Sequence, residues 1–272
     1  MSSSPSPVLL ISTDFDGTLV EHGNPAPFSP LLVETLHALR ARGVRWVINT
    51  GRSLSSLEEG LESFALPIHP DFVITTEREV FQPAARGRGW EDFGPWNARC
   101  ARLHDELFTA AAPLLAPVVA FVQRETRAEL QYGRRTRRNQ GVASELAGIV
   151  AQNDSEMDRI VALLDGVRAR MPKFSYQRNS IYLSFCHVDY DKGTALAELG
   201  RLTNVPANAT FAIGDHQNDL PMLTGVHAHH VACPGNSIDK VKQVVREAGG
   251  YVARDGYSAG VIEALRFYCA DL

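Results

Sequence analysis

The sequence predicts an α/β fold: a Rossmann-like, doubly wound parallel sheet with an inserted α+β domain. Strand and helix patterns alternate over residues 1–82, and the alternation returns over residues 188–272. Such repeats form parallel sheets with helices on their faces. A third observation predicts the insert, because residues 83–187 place helical patterns beside adjacent strands. We therefore expect one domain from 1–82 and 188–272 and a second from 83–187.

The first segment opens with an apolar run, Val8 to Ile11, that predicts a buried strand. Ser29 is a candidate N-cap before Pro30, and leucines at helical spacing predict a helix that ends at Gly43. The next patterns are "VRWVINT" (strand), "SLSSLEEGLESFAL" (helix) and "DFVITT" (strand).

The insert begins where "PAARGRGWEDFGPW" interrupts the alternation with glycines and prolines. Its patterns are "NARCARLHDELFTAAAPLL" (helix), "PVVAFVQRETRAELQYG" (two strands), "SEMDRIVALLDGVRAR" (helix) and "FSYQRNSIYLSF" (a strand pair).

The last segment returns to alternation. Its patterns are "KGTALAELGRL" (helix), "TFAIGD" (strand), "DLPMLTGV" (short helix), "HHVAC" (strand), "NSIDKVKQVVREAG" (helix), "YVA" (strand) and "GVIEALRFYCA" (helix).

Composition limits the kinds of partner. The net charge of −4 over 272 residues argues against nucleic acid as the main partner. Four well-separated cysteines with no CxxC pair fit a reducing compartment. The N-terminus lacks a signal-peptide pattern, and no continuous apolar run approaches the roughly 20 residues that cross a bilayer. We therefore expect a cytoplasmic protein without a membrane partner.

Two acids directly follow the first strand, in "DFDGT". The spacing of Asp14 and Asp16 predicts that both side chains lie close together, where repulsion and lost hydration need compensation. One carboxylate can attack a phosphoryl group and the other can act as acid and base. The turn at Gly17 and Thr18 offers backbone N–H groups to phosphate oxygens. The alternative is an Asx turn with solvated acids.

Three further segments carry polar residues at strand or helix ends. In "NTGR", Thr50 and Gly51 are candidate phosphate-binding residues, and Arg52 fits either a substrate contact or a structural ion pair. Lys192, at the start of a helix, can supply a fixed positive charge between carboxylate and phosphate, or be a solvated lysine.

In "GDHQND", Asp215 closes a strand. Because ligands bind at the carboxyl ends of parallel strands, we expect it to meet Asp14. Mg²⁺ prefers hard oxygen ligands, which Asp14, the backbone carbonyl of Asp16, and Asp215 could supply. Asn218 could orient phosphate or a metal-bound water. Asp219 could hold Lys192 or a water, or cap the next helix.

Together these motifs resemble the haloacid dehalogenase-like phosphohydrolases, in the branch with a large α+β cap between the second and third motifs. That branch includes the Cof-type sugar phosphatases, sucrose-phosphate phosphatase and mannosyl-3-phosphoglycerate phosphatase. The resemblance implies a Mg²⁺-dependent phosphatase acting on a small phosphorylated metabolite, a sugar or polyol phosphate, with residues 83–187 as the cap. It implies these roles: Asp14 nucleophile, Asp16 acid/base, Thr50 and Lys192 phosphate-binding, Asp215 metal-binding, Asn218 and Asp219 supporting.

Two departures concern substrate contacts. Many relatives have an "NG" turn where this chain has "TTEREV", and "GNA" where it has "GNS". Six arginines within residues 124–138 fit either an anion-attracting face of the cap or a solvated strand face.

Other function classes remain open from the residues alone. One is a sugar-phosphate phosphomutase, another a phospho-aspartate signalling module, and a third an inactive sugar-phosphate-binding scaffold. The signalling module predicts a chain near 120 residues with no insert, which disfavours it. The sequence leaves the substrate and the oligomeric state open.

Overall fold

The structure, a computed structural model, describes residues 7–21, 29–64, 67–86, 89–137 and 141–269. It divides into two compact units. The first unit comprises Met1–Asn97 with Asp191–Leu272, and the second comprises Ala98–Tyr190. The assignment of residues 83–187 to a separate substrate-selecting domain stays a prediction.

The regular elements follow the chain in this order. The strands are β1 (Leu10–Thr13), β2 (Arg45–Asn49), β3 (Phe72–Thr75), β4 (Glu79–Pro83), β5 (Trp90–Asp92), β6 (Glu129–Arg137), β7 (Gly141–Val150), β8 (Phe174–Asn179), β9 (Tyr182–His187), β10 (Thr210–Ile213), β11 (His230–Cys233) and β12 (Tyr251–Val252). The helices are α1 (Pro30–Ala41), α2 (Leu54–Ser63), α3 (Trp96–Glu125), α4 (Asp154–Arg170), α5 (Lys192–Thr203), α6 (Leu220–Leu223), α7 (Asp239–Glu247) and α8 (Tyr257–Tyr268).

The first unit is built on one sheet in the order β12-β11-β10-β1-β2-β3-β4-β5. The strands from β12 to β3 pair in parallel, and β4 and β5 add antiparallel partners. From β1 the chain builds outward through β2 and β3, then returns to β10 on the other side. This reversal confirms the doubly wound sheet, and sheets of this kind bind ligands at the carboxyl ends of the strands where the order reverses, here β1 and β10.

Strands β1, β10 and β11 are fully buried along their length. Such continuous burial is expected for parallel strands covered on both faces. The core includes Ile11, Trp46, Ile48, Val73 and Phe211. The buried core therefore holds the ends of these strands in place, and with them the residues that directly follow.

The second unit pairs a four-stranded antiparallel sheet, in the order β6-β7-β9-β8, with helices α3 and α4. Leu107 and Phe108 of α3, Ile160 of α4, and Phe174 and Phe185 of the sheet share one buried cluster. This architecture is the α+β arrangement that the sequence predicts for the insert.

The prediction of two strands in "PVVAFVQRETRAELQYG" is wrong in its first half. Helix α3 continues to Glu125, and β6 begins at Glu129. Val118 and Val122 are buried one helical turn apart, so burial of this face outweighs the strand preference of β-branched residues and the two internal prolines. Strand β7, which pairs with β6, was not predicted.

Helix α3 is long and apolar enough to cross a membrane by length and composition alone. The expectation of no membrane-crossing segment was based on uninterrupted apolar runs, and α3 contains polar residues that interrupt its apolar ones. The same criterion is also met by core helices of soluble proteins, and apolar side chains of α3 contribute to the core of the second unit.

Candidate active site

The predicted residues converge at the carboxyl ends of three neighbouring strands. Asp14 directly follows β1, Thr50 directly follows β2, and Asp215 lies two residues after β10. The Asp14 N–H donates to the Ile213 carbonyl oxygen (3.0 Å), which continues the pairing of β1 with β10. Segments some 200 residues apart in sequence are thus placed side by side, as their position after strands predicts.

Lys192 lies at the centre of this group. Its side chain is fully buried, and its Nζ donates to Oδ1 of Asp14 and to Oδ1 of Asp219, both at 2.6 Å. Burial alone lowers the pKa of this lysine, but Asp14, Asp219 and Glu77 together raise it well above its ordinary value. Lys192 therefore stays charged and is not the solvated lysine of the alternative interpretation.

The start of helix α5 fixes this lysine. Asp191 caps the helix by accepting from the Thr194 N–H (2.8 Å), and the Asn49 side chain donates to the Lys192 carbonyl oxygen (3.0 Å). A Cβ on Gly193 would lie 2.5 Å from the Pro221 carbonyl oxygen, so only glycine permits this approach of α5 to α6.

Asp219 anchors both the lysine and the loop after β10. Its Oδ1 binds Lys192, while its Oδ2 accepts from the N–H groups of Asp215 (2.8 Å) and His216 (2.9 Å). It makes no side-chain cap to helix α6. Of the predicted roles for Asp219, the structure shows the contact with Lys192. Both of its carboxylate oxygens accept hydrogen bonds, one from Lys192 and the other from the two backbone N–H groups.

The buried acids fit a divalent cation. Carboxylate oxygens of Asp14, Asp215 and Asp219 all lie within 4.8 Å of one another. Burial, with a contribution from Asp219, raises the pKa of Asp215 to about 7, and burial also raises the pKa of Asp14 despite the adjacent Lys192. One ammonium thus faces several acids, and this excess of hard oxygen donors suits Mg²⁺. Because Asp219 is engaged elsewhere, Asp14 and Asp215 are the carboxylates best placed to hold it.

Gly17 and Thr18 shape the Asp215 side of this cluster. The Thr18 Oγ1 donates to Oδ1 of Asp215 (2.9 Å). A Cβ on Gly17, whose φ is +83°, would lie 2.4 Å from Oδ2 of Asp215. The "DFDGT" turn therefore needs glycine both for its backbone angle and for the space that Asp215 occupies.

The Asp16 carboxylate lies against Arg52 in the described structure. The Arg52 guanidinium donates from Nε to Oδ2 (2.6 Å) and from Nη2 to Oδ1 (2.7 Å) of Asp16. This bidentate ion pair is the structural alternative that the sequence left open for Arg52. The two acids of "DFDGT" are therefore balanced by different cations, Lys192 for Asp14 and Arg52 for Asp16.

The candidate phosphate-binding residues lie around a carboxylate that sequence reasoning missed. Thr50 is buried, and its carbonyl oxygen accepts from the N–H of Glu77 (2.9 Å). The Asn218 side chain donates from Nδ2 to Oε1 of Glu77 (2.9 Å). That Oε1 lies 3.2 Å from the position of a Cβ on Gly51. Burial raises the pKa of Glu77, and Lys192 opposes this effect.

The signal for Glu77 was in the sequence. Thr76 (φ 48°) and Glu77 (φ 64°) form the turn between β3 and β4, with the positive angles that an "NG" turn adopts easily. The segment "TTEREV", which stands where many relatives have that turn, also places a carboxylate in the site, and this carboxylate was not predicted.

The arginine-rich stretch is only partly within the described residues. The Arg127 N–H donates to Glu156 (2.8 Å) near the start of α4, and Arg124 lies in the last turn of α3. The side chains of Arg134, Arg135 and Arg137, and all of Arg138, lie outside the described part, so the anion-attracting face stays a prediction.

Two family models together match most of the chain. Residues 132–265 match the haloacid dehalogenase-like hydrolase model, and residues 7–78 match the sucrose-6F-phosphate phosphohydrolase model. A presumptive phosphatase from Streptococcus pyogenes serotype M6 is 23% identical over 95% of this chain and 97% of its own length.

Solved structures share the fold. The sucrose-phosphatase of Synechocystis sp. PCC6803, solved in complex with sucrose and phosphate, has a TM-score of 0.69 at 16% identity, covering 97% of this chain and 99% of that one. The subclass IIB sugar phosphatase BT4131 has a TM-score of 0.60 at 15% identity, covering 96% and 98%. With motifs, fold and family models in agreement, this chain belongs to the haloacid dehalogenase-like hydrolase superfamily, among its phosphatases.

Proposed function

We propose that this protein hydrolyses phosphomonoesters of small metabolites through a phosphoryl group carried transiently on Asp14. The observation that supports this most is Lys192, whose Nζ donates to Asp14 and Asp219 at 2.6 Å each, the two acids that form a buried cluster with Asp215. A buried nucleophilic carboxylate beside a fixed cation is what attack on an anionic phosphoryl group requires.

The residues divide the proposed reaction among them. An oxygen of Asp14 attacks phosphorus, the ester P–O bond breaks, and the alcohol departs. Lys192 keeps Asp14 oriented and offsets negative charge throughout. Water then attacks phosphorus and releases phosphate, which restores the Asp14 carboxylate. Thr50, Gly51 and Asn218 are the proposed hydrogen-bonding partners of the phosphoryl oxygens.

Mg²⁺ is the proposed cofactor. Asp14 and Asp215 would hold it, with the backbone carbonyl of Asp16 as a third ligand and Asp219 supporting the loop. When bound, it would supply Lewis-acid charge neutralisation between the carboxylate nucleophile and the phosphoryl group. The chain's own contribution is to gather acids whose pKa values are raised, chiefly by burial and further by the neighbouring acids.

Asp16 is the proposed proton donor to the departing alcohol and the base that activates water. Its bidentate pair with Arg52 keeps the carboxylate in one orientation. Arg52 is itself held by the Ser56 carbonyl oxygen (3.1 Å) and lies over the Phe15 ring. Protonation of Asp16 weakens this pair, so proton transfer and release from Arg52 are coupled in the proposed cycle.

We propose a sugar or polyol phosphate as the substrate class. The family model over residues 7–78 is that of a sucrose-6F-phosphate phosphohydrolase, and two solved relatives act on or bind sugars. These likenesses support a hydroxylated small metabolite as the alcohol and leave its identity to experiment.

The test is phosphate release from a panel of phosphorylated metabolites by the wild type and by Asp14→Asn, with Mg²⁺ or EDTA present. We expect release only from the wild type with Mg²⁺. The control is Asp239→Asn, which neutralises an exposed acid at the start of α7 and should keep full activity. Full activity in Asp14→Asn, or turnover that persists in EDTA, would contradict the proposal.

A further inference from the structure

Among the described residues, Glu77 is a buried acid near the candidate site to which neither the motifs nor the proposed reaction gives a task. The residue is only 7% exposed although it lies in a turn between two strands. Its backbone φ of 64° is one that glycine or asparagine adopts far more readily than glutamate. A residue held in an unfavourable conformation with a buried charge points to a function that offsets the cost.

The carboxylate of Glu77 is directed at the proposed phosphate-binding residues. Oε1 accepts from Asn218 Nδ2 (2.9 Å) and lies against Gly51. Lys192 interacts electrostatically with the same carboxylate. The Glu77 carboxylate therefore contacts or is attracted by three of the four residues proposed to bind phosphate, namely Gly51, Asn218 and Lys192.

The second carboxylate oxygen shows that this environment is not a closed structural ion pair. Oε2 is buried and has no hydrogen-bond partner within the described part of the chain, and the same holds for Oδ1 of Asn218. Buried polar atoms in folded proteins are nearly always paired. Two unpaired acceptors here increase the local negative potential at the place proposed for an anion.

The backbone keeps Glu77 in this place. The Thr76 N–H donates to the Arg52 carbonyl oxygen (2.8 Å), and the Glu77 N–H donates to the Thr50 carbonyl oxygen (2.9 Å). The β3–β4 turn and the "NTGR" loop are thus hydrogen-bonded to each other at two successive residues. The carboxylate cannot leave the region without breaking these bonds or changing its rotamer.

We propose that Glu77 is an affinity-setting residue that competes with phosphate for Asn218, Gly51 and Lys192 and so weakens the retention of free phosphate. The inference rests on the proposed function, because it takes those residues as the phosphate site. A carboxylate a few ångströms from a phosphate dianion repels it, whereas a substrate also gains contacts through its alcohol. Glu77 thus weakens binding of the phosphoryl group in both ligands, and free phosphate, which has no alcohol contacts to compensate, is released more readily, which limits product inhibition.

The test is calorimetric titration of the full-length protein with inorganic phosphate in Mg²⁺ buffer. In Glu77→Gln, which keeps the side-chain shape, the Kd for phosphate should fall by about tenfold or more, as expected for one nearby charge at intermediate dielectric. Glu77→Gly should also bind more tightly and should melt at a higher temperature, because it relieves the positive φ.

The matched control is Glu79→Gln. Glu79 lies on the same hairpin and accepts from Thr76 Oγ1 (2.9 Å), a bond that glutamine can retain. Its Kd for phosphate should equal that of the wild type.

Equal or weaker binding by Glu77→Gln, or an equal gain in Glu79→Gln, overturns the inference and leaves the proposed function standing. If neither the wild type nor either Glu77 variant binds phosphate, both the inference and the proposed phosphate site are wrong. Loss of phosphatase activity in Asp14→Asn decides the proposed function separately.

Discussion

Gly17 is the position at which one methyl group tests the geometry of the acidic cluster. In Gly17→Ala the new Cβ would lie 2.4 Å from Oδ2 and 2.8 Å from Cγ of Asp215. Non-bonded carbon and oxygen atoms do not approach so closely, so Asp215 or the turn must shift. The left-handed φ of +83° adds about 1–2 kcal/mol for any residue with a Cβ. We expect a total loss of about 2–4 kcal/mol in the free energy of unfolding.

Gly43→Ala separates the two contributions. Gly43 has the same φ of +83°, but a Cβ there would meet no atom of the described residues within 4 Å. Its loss should therefore be about 1–2 kcal/mol, the conformational part alone. Urea denaturation of both variants, with Mg²⁺ and with EDTA, measures the difference. We expect the stabilisation by Mg²⁺ to shrink in Gly17→Ala only. Equal losses in the two variants, with equal Mg²⁺ effects, would refute the close contact with Asp215.

Three further predictions concern charge. Lys192→Met should lower the free energy of unfolding, measured by urea denaturation near pH 8, by about 3–5 kcal/mol, because it leaves buried acids unpaired. The control Lys240→Met, which replaces an exposed lysine, should change the same free energy by less than about 0.5 kcal/mol. A double-mutant cycle of Arg52→Gln and Asp16→Asn should give a coupling of about 1–2 kcal/mol, because the pair is bidentate but partly exposed, and no coupling would contradict its geometry. Without Mg²⁺, the melting temperature should fall as pH rises from about 4 to 7, because Asp215 loses its proton at lower pH in the unfolded chain than in the folded protein. Mg²⁺ should raise the melting temperature most at the high end of this range. A melting temperature that rises with pH over this range in EDTA would contradict the raised pKa of Asp215.

The fold could be predicted from the sequence because its parallel strands are buried on both faces. Continuous apolar runs followed by Asp14, Thr50 and Asp215 predict both the strands and the edge at which those residues meet. The second half of α3 was mistaken for strands, because Val118 and Val119 favour strands locally and only tertiary packing of Val118 and Val122 shows the helical period.

The candidate site was predictable in its residues but less so in its pairings. The sequence identified Asp16 and Arg52, yet their bidentate contact depends on the parallel pairing of β1 with β2, which places the "DFDGT" and "NTGR" loops side by side. Glu77 escaped prediction because the missing "NG" turn in "TTEREV" does not by itself show which side chain enters the site. Its importance follows from burial and backbone angles, which a list of residue types does not show.

The most direct test of the central proposal is to locate the phosphoryl group during turnover. Asp16→Asn, which should slow hydrolysis of the intermediate, would be mixed with Mg²⁺ and p-nitrophenyl phosphate, quenched in acid and digested for peptide mass spectrometry. We expect one phosphoryl group on Asp14, and none in Asp14→Asn/Asp16→Asn. A phosphoryl group on another residue, or phosphate release by Asp16→Asn with Asp14 unmodified at every time point, would contradict it.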